Sequence, residues 1–275
     1  MATQDRRGPR VLARLTVTVA VTVLALLLGL PLVSLFTRVP LTDLLQRLGD
    51  PAVRSALWLS LWTTVCATAL VVLLGLPMAY LLATKSFSGK KVVETLVELP
   101  IVLPPTVAGL ALLLAFGRMG LAGGVLRAAG IMLPFTSLAV IVAQVFVGIP
   151  FFVSAAVGGL RGVDPRFSDA AHTLGADPGY AFMRVALPLA LPSLLSGAAL
   201  AWARGLGEFG ATIMFAGNFP GRTQTMPLAV YSALESDLPA AITLAVLLLA
   251  LSAGVLLTVR ASRWSLEPHA QRTTH

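Results

Sequence analysis

Long apolar runs separated by short polar stretches recur along the 275 residues, and most reach or exceed the roughly 17–25 residues a helix needs to cross a bilayer. They predict six spans, at about 15–37, 55–83, 99–117, 134–160, 187–216 and 239–260. The fold class is therefore an all-α integral membrane protein with six transmembrane helices. An even number of spans leaves both termini on one side. Residues 1–14 and 261–275 read as tails, and 161–186 as the longest polar loop between spans.

Basic residues set the orientation. Arg6, Arg7, Arg10 and Arg14, then Lys85, Lys90 and Lys91, then Arg161, Arg166 and Arg184, and finally Arg260, Arg263 and Arg272 fall on one side. The other side holds Arg38, Arg47, Arg54, Arg118, Arg127 and Arg222. Positive loops stay in the cytoplasm, so both termini are expected there. The run from Leu15 to Phe36 is too long for the roughly 7–15-residue apolar core of a signal peptide and reads as an uncleaved first span.

Composition agrees. The chain is 57% hydrophobic and 12% charged, against about 45–50% and about 25% for soluble domains. Its net charge of +8 does not point to nucleic acid, because the basic residues lie between apolar runs, where anionic lipid accounts for them. The single cysteine, Cys66, lies in an apolar stretch and reads as a small buried residue, with no disulfide or cysteine metal site available.

Prolines mark several spans: Pro77, the group Pro100, Pro104 and Pro105, Pro150, Pro188 and Pro192. Broken helices fit a gated pathway, although helix ends and packing also account for prolines. In the fifth span Ser193, Gly197, Ala201 and Gly205 recur every fourth residue, with Ala203, Gly207 and Ala211 beside them. Such ridges let backbones approach closely, either in tight packing or around a pore.

The polar stretch Asp164 to Pro178 reads as two helix starts. Asp164 can cap a helix beginning at Pro165, Gly175 can end it in a left-handed turn, and Asp177 with Pro178 starts the next. Phe167, Ala170, Ala171 and Leu174 share one face of the first helix. That face either folds back onto the spans or docks in a groove on a partner. Farther on, Arg204 and Glu208 are one helical turn apart inside an apolar span. Charges at that depth face a pathway or pair with one another. A tetrahedral dianion needs backbone N–H groups, hydroxyls or a guanidinium, which Arg204, Gly207, Gly210 and Thr212 can offer. Arg204 can equally be neutralised by Glu208.

The pattern Asp169-Ala170-Ala171, three residues, Gly175, nine residues, then Val185-Ala186-Leu187-Pro188 resembles the cytoplasmic signature loop of binding-protein-dependent ABC importer permeases. Asp169 stands for the family's Glu and Val185 for its Ile. The resemblance implies a type I importer permease fold in the cell membrane. It implies that Asp169, Ala170, Ala171, Leu174, Gly175, Val185, Leu187 and Pro188 form a coupling element seated on a separate ABC ATPase. No phosphate-binding loop occurs in this chain, so ATP and Mg are expected on that ATPase, and the chain is expected to be a transport subunit with no cofactor, metal or catalytic site.

The run Gly207-Glu208-Phe209-Gly210-Ala211-Thr212, followed by Phe215-Ala216-Gly217-Asn218 and continuing to Tyr231, resembles molybdate permeases, relatives of the sulfate permeases. It implies a pathway or gate at Arg204, Gly207, Glu208, Phe209, Gly210 and Thr212, carrying molybdate or tungstate, with sulfate or thiosulfate as the alternative. Two ATPase copies, an extracytoplasmic oxyanion-binding protein, a homodimer and membrane lipid are the implied partners. Asn218 to Asp237 faces outside and contains a helix candidate, Pro227 to Glu235, that either receives the binding protein or is a plain surface loop.

Other classes fare worse. The three histidines, His172, His269 and His275, lie outside the spans, so no intramembrane protease site can be assembled. An ion-driven transporter would not need the signature loop, and several buried carboxylates are lacking.

Overall fold

The computed structural model describes residues 7–266, and these are helical with no β-strand among them. Arg6 and Arg272, with His269 and His275, lie outside the described residues. In chain order the helices are α1 (Arg7–Thr37), α2 (Leu41–Leu48), α3 (Pro51–Thr84), α4 (Lys90–Val102), α5 (Pro105–Phe116), α6 (Gly123–Ala128), α7 (Ser137–Arg161), α8 (Pro165–Thr173), α9 (Pro178–Ala181), α10 (Leu187–Leu206), α11 (Gly210–Ala216), α12 (Met226–Ser236) and α13 (Leu238–Leu266). A π-helical turn, Phe182–Ala186, joins α9 to α10.

Five helices among the described residues are long and apolar enough to span, and the pair α4–α5, bent by 119°, is a sixth where its two halves count as one span. The stretch expected as one span at 99–117 is interrupted between Val102 and Pro105, and most of α4 lies before that stretch. Pro104 and Pro105 lack N–H groups, and a residue before proline is pushed out of the helical region; Leu103 and Pro104 are both extended. Pro77, Pro150 and Pro192 instead sit inside helices that continue through them. The helix starts follow local chemistry. Asp50 accepts from the Ala52 N–H at 2.8 Å with Pro51 in the first turn, and Thr136 accepts from the Ala139 N–H at 3.3 Å.

The core is α3, α7 and α10. Val71, Leu82, Phe152, Val153, Leu160 and Leu194 are buried among them. Lipid tails are as apolar as leucine, so close van der Waals approach holds such a core together. The small-residue ridge supplies that approach. A methyl on Gly197 would sit 2.9 Å from Ala155 Cβ and 3.2 Å from the Phe152 carbonyl, while Ser193 lies against Gly159. The ridge is therefore a packing surface for α7.

In α3 the hydroxyls of Thr63, Thr64 and Thr68 are satisfied locally, each donating to the carbonyl one turn back, at 2.7–2.8 Å. Cys66 is exposed on α3, not buried as its apolar surroundings suggest. The period of α3 puts it beside Val65 and Leu73, on the side turned away from α7. Helix α1 packs against α13, and most of its described leucines face outward.

Candidate functional site

Two regions carry the sequence-predicted residues. The first is the polar loop after α7. Asp164 Oδ1 accepts from the Arg166 N–H at 2.9 Å to start α8, and Asp177 Oδ1 accepts from Gly179 and Tyr180 at 2.8 and 3.0 Å to start α9. Between them Gly175 takes φ +85°, which ends α8 in a left-handed turn. Phe167 is 55% and Leu174 89% exposed. Ala170 is exposed and Ala171 half-buried. The apolar face of α8 is therefore not folded back onto the spans of its own chain.

The loop is nonetheless tied to the core. Phe182 packs against Tyr80 of α3 with ring centroids 4.4 Å apart and the rings tilted by 57°. Arg161, at the end of α7, donates to the Leu82 carbonyl at 3.0 Å and pairs with Glu94 of α4 at 3.1 Å. The signature residues Val185, Ala186 and Leu187 sit at the π turn, where the Leu187 N–H reaches back to the Phe182 carbonyl. Pro188 has no N–H to give the Arg184 carbonyl and its ring crowds that carbonyl. Widening the preceding turn relieves both faults.

The second region is a break in the fifth span. Helix α10 ends at Leu206, the chain bends through Gly207, Glu208 and Phe209, and α11 starts at Gly210. Glu208 bridges this break. One carboxylate oxygen accepts from the Ala211 N–H at 2.7 Å, satisfying a free donor of α11, and the other lies 2.9 Å from the Arg204 guanidinium. Glu208 is 1% exposed and the Arg204 side chain 33%. Gly207 and Ala203 are exposed beside Arg204.

Gly210 and Thr212 are buried in this structure, where α11 packs on α5. A methyl on Gly210 would lie 2.5 Å from Pro105 Cβ, and one on Gly109 would lie 2.7 Å from the Ala211 carbonyl. The two breaks thus touch: Pro105, which follows the bend in the third span, meets Gly210, which follows the bend in the fifth. Phe209 packs against Tyr231 of α12, with ring centroids 5.1 Å apart and the rings tilted by 50°. The Tyr231 phenol is held above its usual pKa, first by its hydrogen bond to Glu235 and then by that carboxylate's charge.

Several residues beside the break escape a sequence reading. Gln144 of α7 is buried, with its side chain next to Gly205, and Thr64 of α3 approaches the same glycine. Gln144 was detectable as a lone amide in the apolar run from Leu138 to Val153. Ser60 was not: its hydroxyl accepts from the Met226 N–H at 2.7 Å, seating the start of α12 against α3 across 166 residues of sequence.

The family model for the inner membrane component of binding-protein-dependent transport systems matches residues 71–265. The chain belongs to this family. It is a multi-pass protein of the cell membrane and the transport subunit of such an importer, not its ATPase. The molybdenum transport system permease protein ModB of Mycobacterium bovis is 44% identical over 233 residues, 85% of this chain and 88% of that protein. A probable sulfate transport system permease, cysT of Helicosporidium, is 33% identical over 239 residues, 86% of this chain and 88% of its own.

Solved structures share the fold. A bacterial ABC transporter that imports the acidic polysaccharide alginate matches with TM-score 0.75 at 13% identity, covering 94% of this chain and 97% of that one. The inward-facing MetNI methionine transporter matches with TM-score 0.61 at 19% identity, covering 76% and 94%. The type I importer architecture expected from the signature loop is the architecture of this permease.

Proposed function

We propose that this permease imports molybdate or tungstate, working as a homodimer with two ABC ATPase subunits that bind ATP and Mg, and with an extracytoplasmic oxyanion-binding protein. The observation that carries the substrate is a contrast at equal coverage: 44% identity to a molybdenum permease against 33% to a sulfate permease. Both termini are cytoplasmic in this reading. Helix α8 then faces the ATPase, and the exposed Phe167 and Leu174 with Ala170, Ala171 and Asp169 enter a groove on it.

Closure of the ATPase pair pushes α8, and the push reaches α3 through Phe182 and Tyr80 and α10 through the π turn. Rocking of the packed core opens or closes the break at Gly207–Phe209. Arg204, a third open beside Gly207, offers a guanidinium to the passing dianion, while Glu208 keeps it from trapping the ion. On the outer side α12 receives the binding protein, and its contact with Phe209 gives docking a route to the same break.

The test is ATP-dependent uptake of radiolabelled molybdate into proteoliposomes holding this permease, its ATPase and its binding protein. Competition by tungstate but not by sulfate is expected. Competition by sulfate at equal concentration makes it a sulfate or thiosulfate permease, and uptake without the ATPase overturns the importer reading.

A further inference from the structure

The segment between α5 and α7 builds a groove with a lining unlike any pathway for a small dianion. It is held in place by its own backbone: Leu121 and Ala122 donate to the Leu114 and Ala115 carbonyls at 3.1 and 2.8 Å, and Ile131 donates to the Leu126 carbonyl at 2.8 Å. The groove has a volume of about 570 Å³, within the roughly 300–1,000 Å³ of pockets for organic ligands. Its walls are apolar except for two side chains, Arg118 and Arg127. Neither has a carboxylate partner among the described residues, and no Asp or Glu occurs between Glu98 and Asp164. Arg118 reaches only the Met132 sulfur, at 3.7 Å.

The same segment presents Met119 and Leu121 almost fully, at 99% and 96% exposure. At the end of a membrane span, such side chains belong at the boundary of headgroups and acyl chains. We infer that this groove binds one anionic phospholipid, its acyl chain along the apolar wall and its phosphate on Arg118 and Arg127. Guanidinium groups suit a phosphodiester, which accepts two parallel hydrogen bonds. A protein partner would be expected to meet a mixed polar rim, and here the polar lining consists of two like charges. A free oxyanion would leave the apolar walls uncovered.

Native mass spectrometry of the assembled importer, equilibrated with equal phosphatidylglycerol and phosphatidylcholine, tests this. The wild type is expected to retain phosphatidylglycerol at least fivefold over phosphatidylcholine, and R118A/R127A to lose that preference. Two further variants guard against a merely misfolded hairpin. R118K/R127K should keep part of the preference, and L126W, which fills the groove but leaves both charges, should lose it. The inference is overturned if all four proteins retain the two lipids equally, or if L126W behaves as wild type. It is also overturned if molybdate or sulfate displaces the lipid, which makes this a free-oxyanion site. Unchanged lipid with weakened capture of the binding protein in R118A/R127A overturns it too, since the groove is then a protein-docking surface.

Discussion

Glu208 holds two groups with one carboxylate, and substitutions can separate the two tasks. Removing the guanidinium in R204A leaves Glu208, 1% exposed, as an unpaired buried charge. Breaking a buried pair from one side is worth about 3–5 kcal/mol of destabilisation. E208A removes the carboxylate instead. It forfeits the cap on the Ala211 N–H, about 1 kcal/mol, and leaves Arg204 unpaired. That second loss is a fraction of the roughly 2.5–3.5 kcal/mol insertion cost of a central arginine, because a third of the side chain is already open.

E208Q keeps an oxygen for the Ala211 N–H and loses only the charge. The double variant R204M/E208Q keeps the cap and removes both charges, so it should lie within about 1.5 kcal/mol of wild type. The expected order of destabilisation is R204A, then E208A, then E208Q, with the double variant milder than R204A alone. Unfolding free energies from steric trapping in bicelles read this directly. If R204A and E208Q simply add in R204A/E208Q, the pair is not coupled and the bridge across the break carries no energy. Transport gives an independent reading: R204M/E208Q should be folded yet import molybdate at least tenfold more slowly, because the guanidinium beside Gly207 is gone.

Other parts of the molecule yield sharper single tests. G197L should destabilise the permease by about 1–3 kcal/mol, because the added side chain meets Ala155 and the Phe152 backbone, measured by the same unfolding assay. L174D alters a side chain that is 89% exposed, so thermal stability in detergent should stay within the error of wild type while co-purification of the ATPase falls at least tenfold. E235Q should lower the titration midpoint of Tyr231 toward the ordinary value of about 10, since both the charge and the charged hydrogen bond that raise it disappear. Spectrophotometric titration against Y231F isolates this phenol from Tyr80 and Tyr180, and an unmoved midpoint refutes the assigned cause.

What the sequence makes legible here is whatever is set within one or two helical turns. Asp164, Pro165, Gly175 and Asp177 each act on backbone groups at most three residues away, so the α8–α9 hairpin can be read off the chain with its caps in place. Arg204 and Glu208 likewise meet because a helix brings every fourth residue together. Contacts between distant elements are a different matter. Hydropathy joins the end of α4 to α5 as one span at 99–117, since Pro104-Pro105 marks a break without giving its 119° angle.

The angle is what lets Pro105 and Gly109 cover Gly210 and Ala211, a burial set by a helix about a hundred residues away. Exposed Cys66 fails for a related reason, because in a membrane protein an apolar neighbourhood describes lipid as well as core. The same ambiguity explains why the small-residue ridge of α10 left packing and pore both open. Its i, i+4 spacing specifies only a close approach, and the partner, α7, is chosen by residues such as Ala155, Phe152 and Gly159 that lie on another segment. Function follows the same division. The loop proposed to meet the ATPase is local and carries a recognisable signature, whereas the break proposed to meet the ion is lined from several helices, and only its central Gly-Glu-Phe-Gly run is contiguous.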